Sequence, residues 1–367
     1  MRFPEFSGEW KMCTIGELIT KVGSGVTPRG GEAVYKTEGH PFVRSQNVGL
    51  GNLLLDDIAF IDEETHLRQK NTELQFNDVL LNITGASIGR SALVDKQIVG
   101  GNVNQHVCII RTKENLVPSF ICSFLLSNYG QRQIDSFQAG GNRQGLNFEQ
   151  IKSIKITIPS KDEQIKIAKL LRAIDERIAT QNKIIDKLQS LIKGIAQNVA
   201  RNNKPNIRLS ECLECSSSTL QESDVCKNGT YPVYGANGIV GYLDNYNTEK
   251  EAVYIIKDGS GVGTVSYVTG KCSATGTLNT LQAKEGYSLQ YLYYMLKVFN
   301  FEPYKTGMAI PHIYFKDYGK AKIFCPSYTE QLKYARLLSA IDNKLSAEQS
   351  ILTDLSLQKQ YLLRPKD

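Results

Sequence analysis

Apolar residues recur every seven positions in two segments of the chain, 159–203 and 326–367. In the first segment one series begins at Leu171, and a second series, at the complementary positions, begins at Ile174. A seven-residue period places both series on one face of an α-helix, where a partner helix covers them. We therefore predict two long helices that pair with each other. The predicted coiled-coil interface consists of Leu171, Ile174, Ile178, Gln181, Ile185, Leu188, Leu338, Ile341, Leu345, Glu348, Leu352 and Leu355.

The two helical segments begin with closely similar sequences. The 17 residues from Pro159 align with the 17 residues from Pro326 without a gap, and 11 of them are identical. Farther upstream, Gly85–Gly89 is similar to Gly259–Gly263, and each follows an apolar run. One amphipathic helix alone would be expected to pack on its own globular domain, but two matched helices favour mutual pairing. The chain is thus predicted to contain two copies of one plan.

Near its middle, each apolar stripe contains a polar residue, Gln181 in the first helix and Glu348 in the second. If the helices run antiparallel from equivalent starts, their midpoints face each other. We therefore expect Gln181 and Glu348 to meet as a buried polar pair that fixes the register of the helices.

The segment that precedes each helix is rich in predicted β-strands. Short apolar or alternating runs bounded by glycine-rich turns are typical of strands. These runs are Val79–Ile83, Val107–Arg111, Ile154–Ile158, Val253–Ile256 and Thr264–Val268. One helix is predicted in each segment as well, at 118–137 and 288–298. The sequence therefore predicts an α+β fold with an internal pseudo-two-fold repeat. Its parts are a globular domain at 1–158, a helix at 159–203, a second globular domain at 204–325 and a second helix at 326–367.

The composition is that of a folded, soluble protein. Of the 367 residues, 41% are hydrophobic and 22% are charged. No run approaches the ~18 apolar residues of a membrane span, and the first residues lack the apolar core of a secretory signal, so we expect a cytoplasmic protein. The net charge is +6, and the segment 161–204 contains ten basic and five acidic residues. This mildly basic balance permits a polyanionic partner without proving one.

No constellation of residues in the sequence indicates catalysis or metal binding. Cys212 and Cys215 have the spacing of half a zinc site, but no second Cys or His pair accompanies them. The phosphate-binding and dinucleotide-binding glycine motifs are absent. The chain also lacks any Pro-Pro dipeptide, which amino-methyltransferase motifs require, and any Pro-Asp dipeptide, which begins many restriction-nuclease cores. The sequence therefore favours a binding protein without catalytic or metal-binding residues.

Several motifs together resemble the DNA-specificity subunits of type I restriction–modification systems. The resemblance covers the whole chain and includes the duplicated helix starts at Pro159 and Pro326. The further motifs are Gly23–Pro28, Tyr231–Gly241, Gly259–Gly263 and Gly307–Pro311. In the first half, Gly140–Gly145 departs from the Gly-x-x-x-Pro form of this last motif.

The resemblance implies a non-catalytic subunit that binds double-stranded DNA. Residues 1–158 and 204–325 would be target-recognition domains, held apart by two antiparallel spacer helices. Each domain would read one half of an interrupted, asymmetric sequence. Two modification subunits would dock on the chain, bind S-adenosylmethionine and methylate adenine at N6. Restriction subunits would add cleavage driven by ATP with Mg²⁺, and the chain itself would bind no cofactor.

Base recognition would fall to polar side chains on the loops that follow the strands. Asn, Gln, Arg, Ser and Thr match the hydrogen-bonding edges of bases in the major groove, although any one of them can instead stabilise a turn. The candidates in the first domain are Thr27, Arg29, Arg44, Asn47, Thr84, Ser87, Asn104, His106, Arg143 and Gln144. Those in the second domain are Tyr234, Asn237, Lys257, Ser260, Thr277, Asn279, Lys305 and His312.

The sequence leaves other interpretations open. One is a self-sufficient DNA enzyme, against which the missing cofactor and nuclease motifs argue. Another is a coiled-coil scaffold whose globular ends bind protein. Within the favoured interpretation, the system either restricts DNA as well or only methylates it.

Overall fold

The computed structural model describes residues 3–138, 145–307 and 310–362, so the candidates Arg143 and Gln144 lie outside the described residues. The chain divides into two compact units. One contains the residues up to Thr180 together with those from Leu352 on, and the other contains Gln181–Ile351. Each unit thus combines one globular domain with a segment of both long helices.

The first domain alternates short strands with short helices, and the first long helix follows it. Its elements are β1 (Lys11–Thr14), α1 (Ile15–Leu18), β2 (Ile19–Ser24), β3 (His40–Val43), β4 (Ala59–Ile61), α2 (Glu63–Arg68), β5 (Val79–Asn82), β6 (Ser91–Leu93), β7 (Asn102–Val103), β8 (Val107–Thr112), α3 (Pro118–Leu125), α4 (Asn128–Ser136), α5 (Phe148–Ser153), β9 (Lys155–Ile158) and the long helix α6 (Lys161–Arg201).

The second domain repeats this order with fewer helices. Its elements are β10 (Ile207–Arg208), α7 (Leu209–Cys212), β11 (Leu213–Ser217), β12 (Tyr231–Gly235), β13 (Gly238–Leu243), β14 (Glu251–Ile256), β15 (Val265–Thr269), β16 (Ser273–Ala274), β17 (Leu278–Ala283), α8 (Leu289–Lys297), α9 (Phe315–Tyr318), β18 (Lys322–Ile323) and the long helix α10 (Tyr328–Leu362).

The two domains share one sheet topology. The larger sheet has the strand order β2-β8-β5-β6 in the first domain and β11-β17-β14-β15 in the second. In the smaller sheets, β3 and β12 each pair with one antiparallel and one parallel neighbour. The strands that open and close each domain, β1 with β9 and β10 with β18, pair antiparallel. The predicted α+β fold with an internal repeat is confirmed, and the repeat extends through both domains.

Strand β5 shows how the core of the first domain is built. Val79 and Leu81 face a cluster that includes Ile121 of α3, while Leu80 faces a second cluster that includes Val43 of β3. Successive residues of a strand point to opposite faces of the sheet. Because both faces are covered, Val79, Leu80 and Leu81 are all apolar instead of alternating with polar residues.

The single helix predicted at 118–137 is wrong, since the structure has two helices there. α3 ends at Leu125, and Ser127 caps α4 by accepting a hydrogen bond of 3.1 Å from the backbone N–H of Gly130. A side chain on Gly130 would lie 2.3 Å from the carbonyl oxygen of Phe124. The break therefore rests on a serine cap and on a close backbone approach that only glycine allows.

The duplicated Glu-Gln motif joins each long helix to its own domain. The side-chain oxygen of Gln164 accepts from the backbone N–H of Val117 at 2.9 Å, immediately before α3. Gln331 accepts from the N–H of Ser288 at 2.9 Å, immediately before α8. Both glutamines are buried, and each also donates to the carbonyl of the proline that starts its motif. The motif thus joins the start of each long helix to the start of a helix in its own domain, α3 or α8.

Of the twelve residues predicted for the coiled-coil interface, seven are buried and five are half-buried. Within the first unit, Lys359 of α10 forms an ion pair with Asp175 of α6. Within the second unit, the Gln181 amide donates to the Glu348 carboxylate and, at 3.0 Å, to its backbone carbonyl. As α6 advances from Asp175 to Gln181, its partner goes back from Lys359 to Glu348, so the helices run antiparallel. α6 has 41 residues, a length of about 60 Å at 1.5 Å per residue.

Candidate nucleic-acid interface

In the first domain, β2 and β5 end, and β8 begins, at the same end of the larger sheet. Ser24 at the end of β2 pairs with Cys108 near the start of β8, and Asn82 at the end of β5 pairs with Val107. The segments that leave β2 and β5 therefore lie beside the segment that enters β8. We call this end of the sheet the first sheet end.

Four polar residues meet at the first sheet end. The Thr84 hydroxyl lies 2.5 Å from His106 Nδ1, and His106 Nε2 lies 3.3 Å from Nε2 of Gln105. The side-chain oxygen of Gln105 accepts a hydrogen bond of 2.9 Å from the backbone N–H of Thr27. The candidates Thr27, Thr84 and His106, which come from three separate loops, thus form one connected cluster with the exposed Gln105.

The second domain has a corresponding second sheet end, formed by β11, β14 and β17 with the same pairing directions. The backbone N–H of Lys257 donates to the carbonyl of Thr277 at 3.0 Å. His312 Nδ1 lies 2.6 Å from Asp258 Oδ1. The structure therefore brings the candidates Lys257, Thr277 and His312 together at this edge.

Three candidates use their polar groups within the fold. Asn47, Asn104 and Asn279 are buried. The Asn47 amide donates to two backbone carbonyls at 2.9 and 3.2 Å, and the Asn279 amide donates to a buried tyrosine hydroxyl at 3.0 Å. The Asn104 side-chain oxygen accepts from the backbone N–H of His106 at 3.0 Å. Asn47 and Asn104 stabilise loops that carry other candidates, whereas Asn279 lies within the strand β17 instead of on a loop. We leave all three out of the proposed interface.

Two cationic candidates have acidic neighbours. The Arg44 guanidinium lies 3.1 Å from the Asp57 carboxylate, and the Lys305 ammonium lies 2.6 Å from Glu302. Each pair lowers the positive charge available to a phosphate. Of the remaining candidates, Arg29, Asn237 and Ser260 are exposed, while Ser87 and Tyr234 are half-buried.

Sequence reasoning missed two features of the second domain. Nothing in the sequence singles out Asp258, because a carboxylate is repelled by the phosphates of DNA. Its place at the second sheet end becomes clear only from its contact with His312. The Lys271 ammonium lies 4.7 Å from the ring centre of Tyr246 and 5.9 Å from that of Tyr231. No spacing in the sequence links these three residues, which lie at the other end of the β14–β15 pair from the second sheet end.

Across 3–138, 145–307 and 310–362, no group of three or more His, Cys, Asp or Glu is placed to hold a metal ion. Burial raises the pKa of the Cys212 thiol to about 12 and that of Cys215 to about 11, so both remain protonated at neutral pH. In the same part of the chain, no helix is long and apolar enough to cross a membrane.

Comparison with known proteins identifies the relatives of the chain. Residues 7–190 and 205–356 match the model of the type I restriction modification DNA specificity domain. Over 317 residues, the chain is 25% identical to a Mycoplasma genitalium protein named provisionally as a type I specificity subunit, a match that covers 79% of this chain and 80% of that protein. It is 22% identical over 202 residues to the EcoKI specificity subunit of Escherichia coli, covering 52% of this chain but only 41% of that protein.

A solved structure shares the fold. The crystal structure of a type I restriction–modification S subunit from M. genitalium superimposes with a TM-score of 0.70 at 19% identity, and the match covers 100% of both chains. At this identity the likeness concerns the fold alone.

Proposed function

The chain belongs to the type I restriction–modification DNA specificity family, and on that premise we propose that it selects the DNA sequence at which a modification complex acts. One observation carries the proposal. The same sheet end occurs in both domains, but each carries a different set of polar side chains. Two similar frameworks with different side chains suit a DNA site made of two unlike halves. The chain contributes recognition, and the chemistry belongs to its partners.

In this proposal each sheet end faces a major groove, where the four base pairs are distinguishable by their hydrogen-bonding groups. Exposed cations such as Arg29 contact phosphates and set the position of the protein on the duplex. Half-sites read from one face of B-DNA lie ~34 Å apart, which is within the length of α6. The paired helices keep the spacing between half-sites constant, because interlocked side chains do not slide.

The proposed partners follow from the family. Two modification subunits dock on the chain, bind S-adenosylmethionine and methylate adenine at N6, which requires the base to leave the stack at a cost of a few kcal/mol. Restriction subunits, in a system that has them, add cleavage with ATP and Mg²⁺. In this proposal the chain itself binds no cofactor.

A genome-wide map of methylated adenines tests the proposal. We expect an interrupted two-part sequence to be methylated when the full chain is expressed with its modification subunit, and to lose methylation when the chain is deleted. A map that does not change on deletion would refute the function. Retention of the purified complex on that sequence, but not on a scrambled duplex, separates this function from that of a scaffold whose domains bind only protein.

A further inference from the structure

An exposed valine lies at the first sheet end, among side chains that are otherwise polar. Val26 is 64% exposed. It follows β2, and its neighbour Thr27 belongs to the polar cluster of the first sheet end. Single exposed apolar side chains are common on protein surfaces, so exposure alone gives Val26 no role. The contacts of its backbone supply a second observation.

Three contacts fix the backbone around Val26. Its own N–H donates to the side-chain oxygen of the buried Gln69 at 3.0 Å, and the next N–H of the chain donates to that of Gln105 at 2.9 Å. A side chain on Gly25 would lie 1.7 Å from the carbonyl oxygen of Val103, so the loop packs directly against β7. The valine is therefore held in one position, as a recognition group must be.

The second sheet end carries an exposed isoleucine. Ile310 is 57% exposed. The carbonyl of the next residue, Pro311, accepts a hydrogen bond of 3.0 Å from the N–H of Gly259, and His312 exchanges backbone hydrogen bonds of 2.7 and 2.9 Å with Thr306. An exposed, β-branched apolar side chain thus occurs at both sheet ends, although the two come from different loops.

A branched apolar side chain matches one feature of the base edges. In the major groove the bases present hydrogen-bonding groups, and thymine presents a methyl group at C5 as well. Valine and isoleucine side chains have no donor or acceptor, so a hydrogen-bonding group that they covered would lose water without a replacement. Contact with the methyl group instead removes apolar surface of both partners from water. The apolar character of these residues therefore selects thymine.

We propose that Val26 packs against the C5 methyl group of a thymine in the half-site of the first domain, and that Ile310 does the same in the half-site of the second. The inference rests on the proposed function and adds one base pair to each half-site. Either strand can supply the thymine, so an A·T pair is specified. Val26 and Ile310 are then specificity-determining residues, and Gln69 and Gln105 are positioning residues that act through the backbone of the first.

Duplexes with deoxyuridine in place of thymidine test the contact, because uracil lacks the C5 methyl group and keeps the hydrogen-bonding groups of thymine. The methylation map first defines the two half-sites. The purified complex of the full chain with its modification subunit is then titrated with duplexes in which one thymine at a time is replaced. We expect one replacement in each half-site to weaken binding by about threefold to fivefold, the effect of one buried methyl group.

Serine variants link each methyl group to its side chain. Val26→Ser should bind the unmodified duplex more weakly and should lose the sensitivity to uracil in the first half-site alone. Ile310→Ser should do the same in the second half-site alone, so each variant is the control for the other. If a serine variant does not fold, alanine at the same position should lower the sensitivity to uracil.

A matched valine controls for the loss of an exposed apolar side chain. Val99 of the first domain is 44% exposed, but its neighbour Gly100 contacts His40 at the start of β3. Val99→Ser should leave the sensitivity to uracil unchanged in both half-sites.

The inference is overturned if no uracil replacement in a half-site weakens binding, or if a half-site contains no A·T pair. It is also overturned if uracil weakens wild type and the serine variant equally, since the side chain then contacts sugar, phosphate or a partner protein. By contrast, a complex that binds the mapped site no better than a scrambled duplex refutes the proposed function instead.

Discussion

Replacing the buried polar pair of the long helices with leucine should show how the register is set. Gln181 and Glu348 are each 6% exposed, and Lys344 pairs with the Glu348 carboxylate from the surface. Gln181→Leu removes the amide donor from a buried carboxylate, which costs ~1–3 kcal/mol. Glu348→Leu costs ~1 kcal/mol, because the Gln181 amide keeps its bond to the backbone carbonyl. The double variant fills the stripe with apolar side chains and should be as stable as wild type, or more stable by ~1–4 kcal/mol.

The coupling energy between the two sites is the quantity that tests this reasoning. Urea unfolding of the full chain, followed by circular dichroism, gives the free energy of each single variant and of the double variant. We expect a coupling of at least ~2 kcal/mol, since the double variant avoids both losses. The exposed residues Asn182 and Ser350, changed to leucine in the same combinations, should show no coupling. Additive effects of Gln181→Leu and Glu348→Leu would mean that the helices pair in another register.

Three further predictions follow from the same structure. Gln164→Leu and Gln331→Leu should each lower the free energy of unfolding by ~1–3 kcal/mol, because buried backbone groups lose their hydrogen-bond partner. In urea unfolding the two losses should add, since the two glutamines lie in separate units. Inserting four residues after both Ile185 and Leu352 lengthens each helix by ~6 Å, so a methylation map should show the gap between half-sites widened by one or two base pairs and the bases unchanged. Iodoacetamide at pH 8 should label the exposed Cys226 first, because the other cysteines are buried or half-buried; mass spectrometry that finds a buried thiol labelled equally fast would contradict the packing.

The long helices were predictable because their signal is local and repeated. A seven-residue period continues through each helix, and the shared Glu-Gln start marks the same boundary twice. The topology of the domains was not predictable in this way. Strands such as β16 (Ser273–Ala274) contain two residues, which is too short for any period to be read. The repeat of the sheets is therefore visible in the order in which strands pair. It is hardly visible in the amino-acid sequence.

The candidate site was predictable in residue type but not in arrangement. Loop position and polarity selected His106 and His312, which the structure places at the two sheet ends. Whether a polar side chain near them is free to bind a base depends on contacts between residues that are far apart in the sequence. Asp258 and His312, which are in contact, are 54 positions apart. The same polarity also selected Asn47, whose amide donates its hydrogen bonds to carbonyls of its own loop. Local sequence cannot distinguish these cases, because the deciding partner lies elsewhere in the chain.

The division of the chain into units has a consequence for the order of folding. The second unit is continuous, from Gln181 to Ile351, whereas the first unit also includes the segment that begins at Leu352. A ribosome finishes the first domain early but supplies this last component only after about 170 further residues, or roughly 9 to 34 seconds of synthesis. The part of the protein that is made first is therefore completed last. A stop codon after Ile351 would spare every residue of the second unit and damage the first, at the opposite end of the gene.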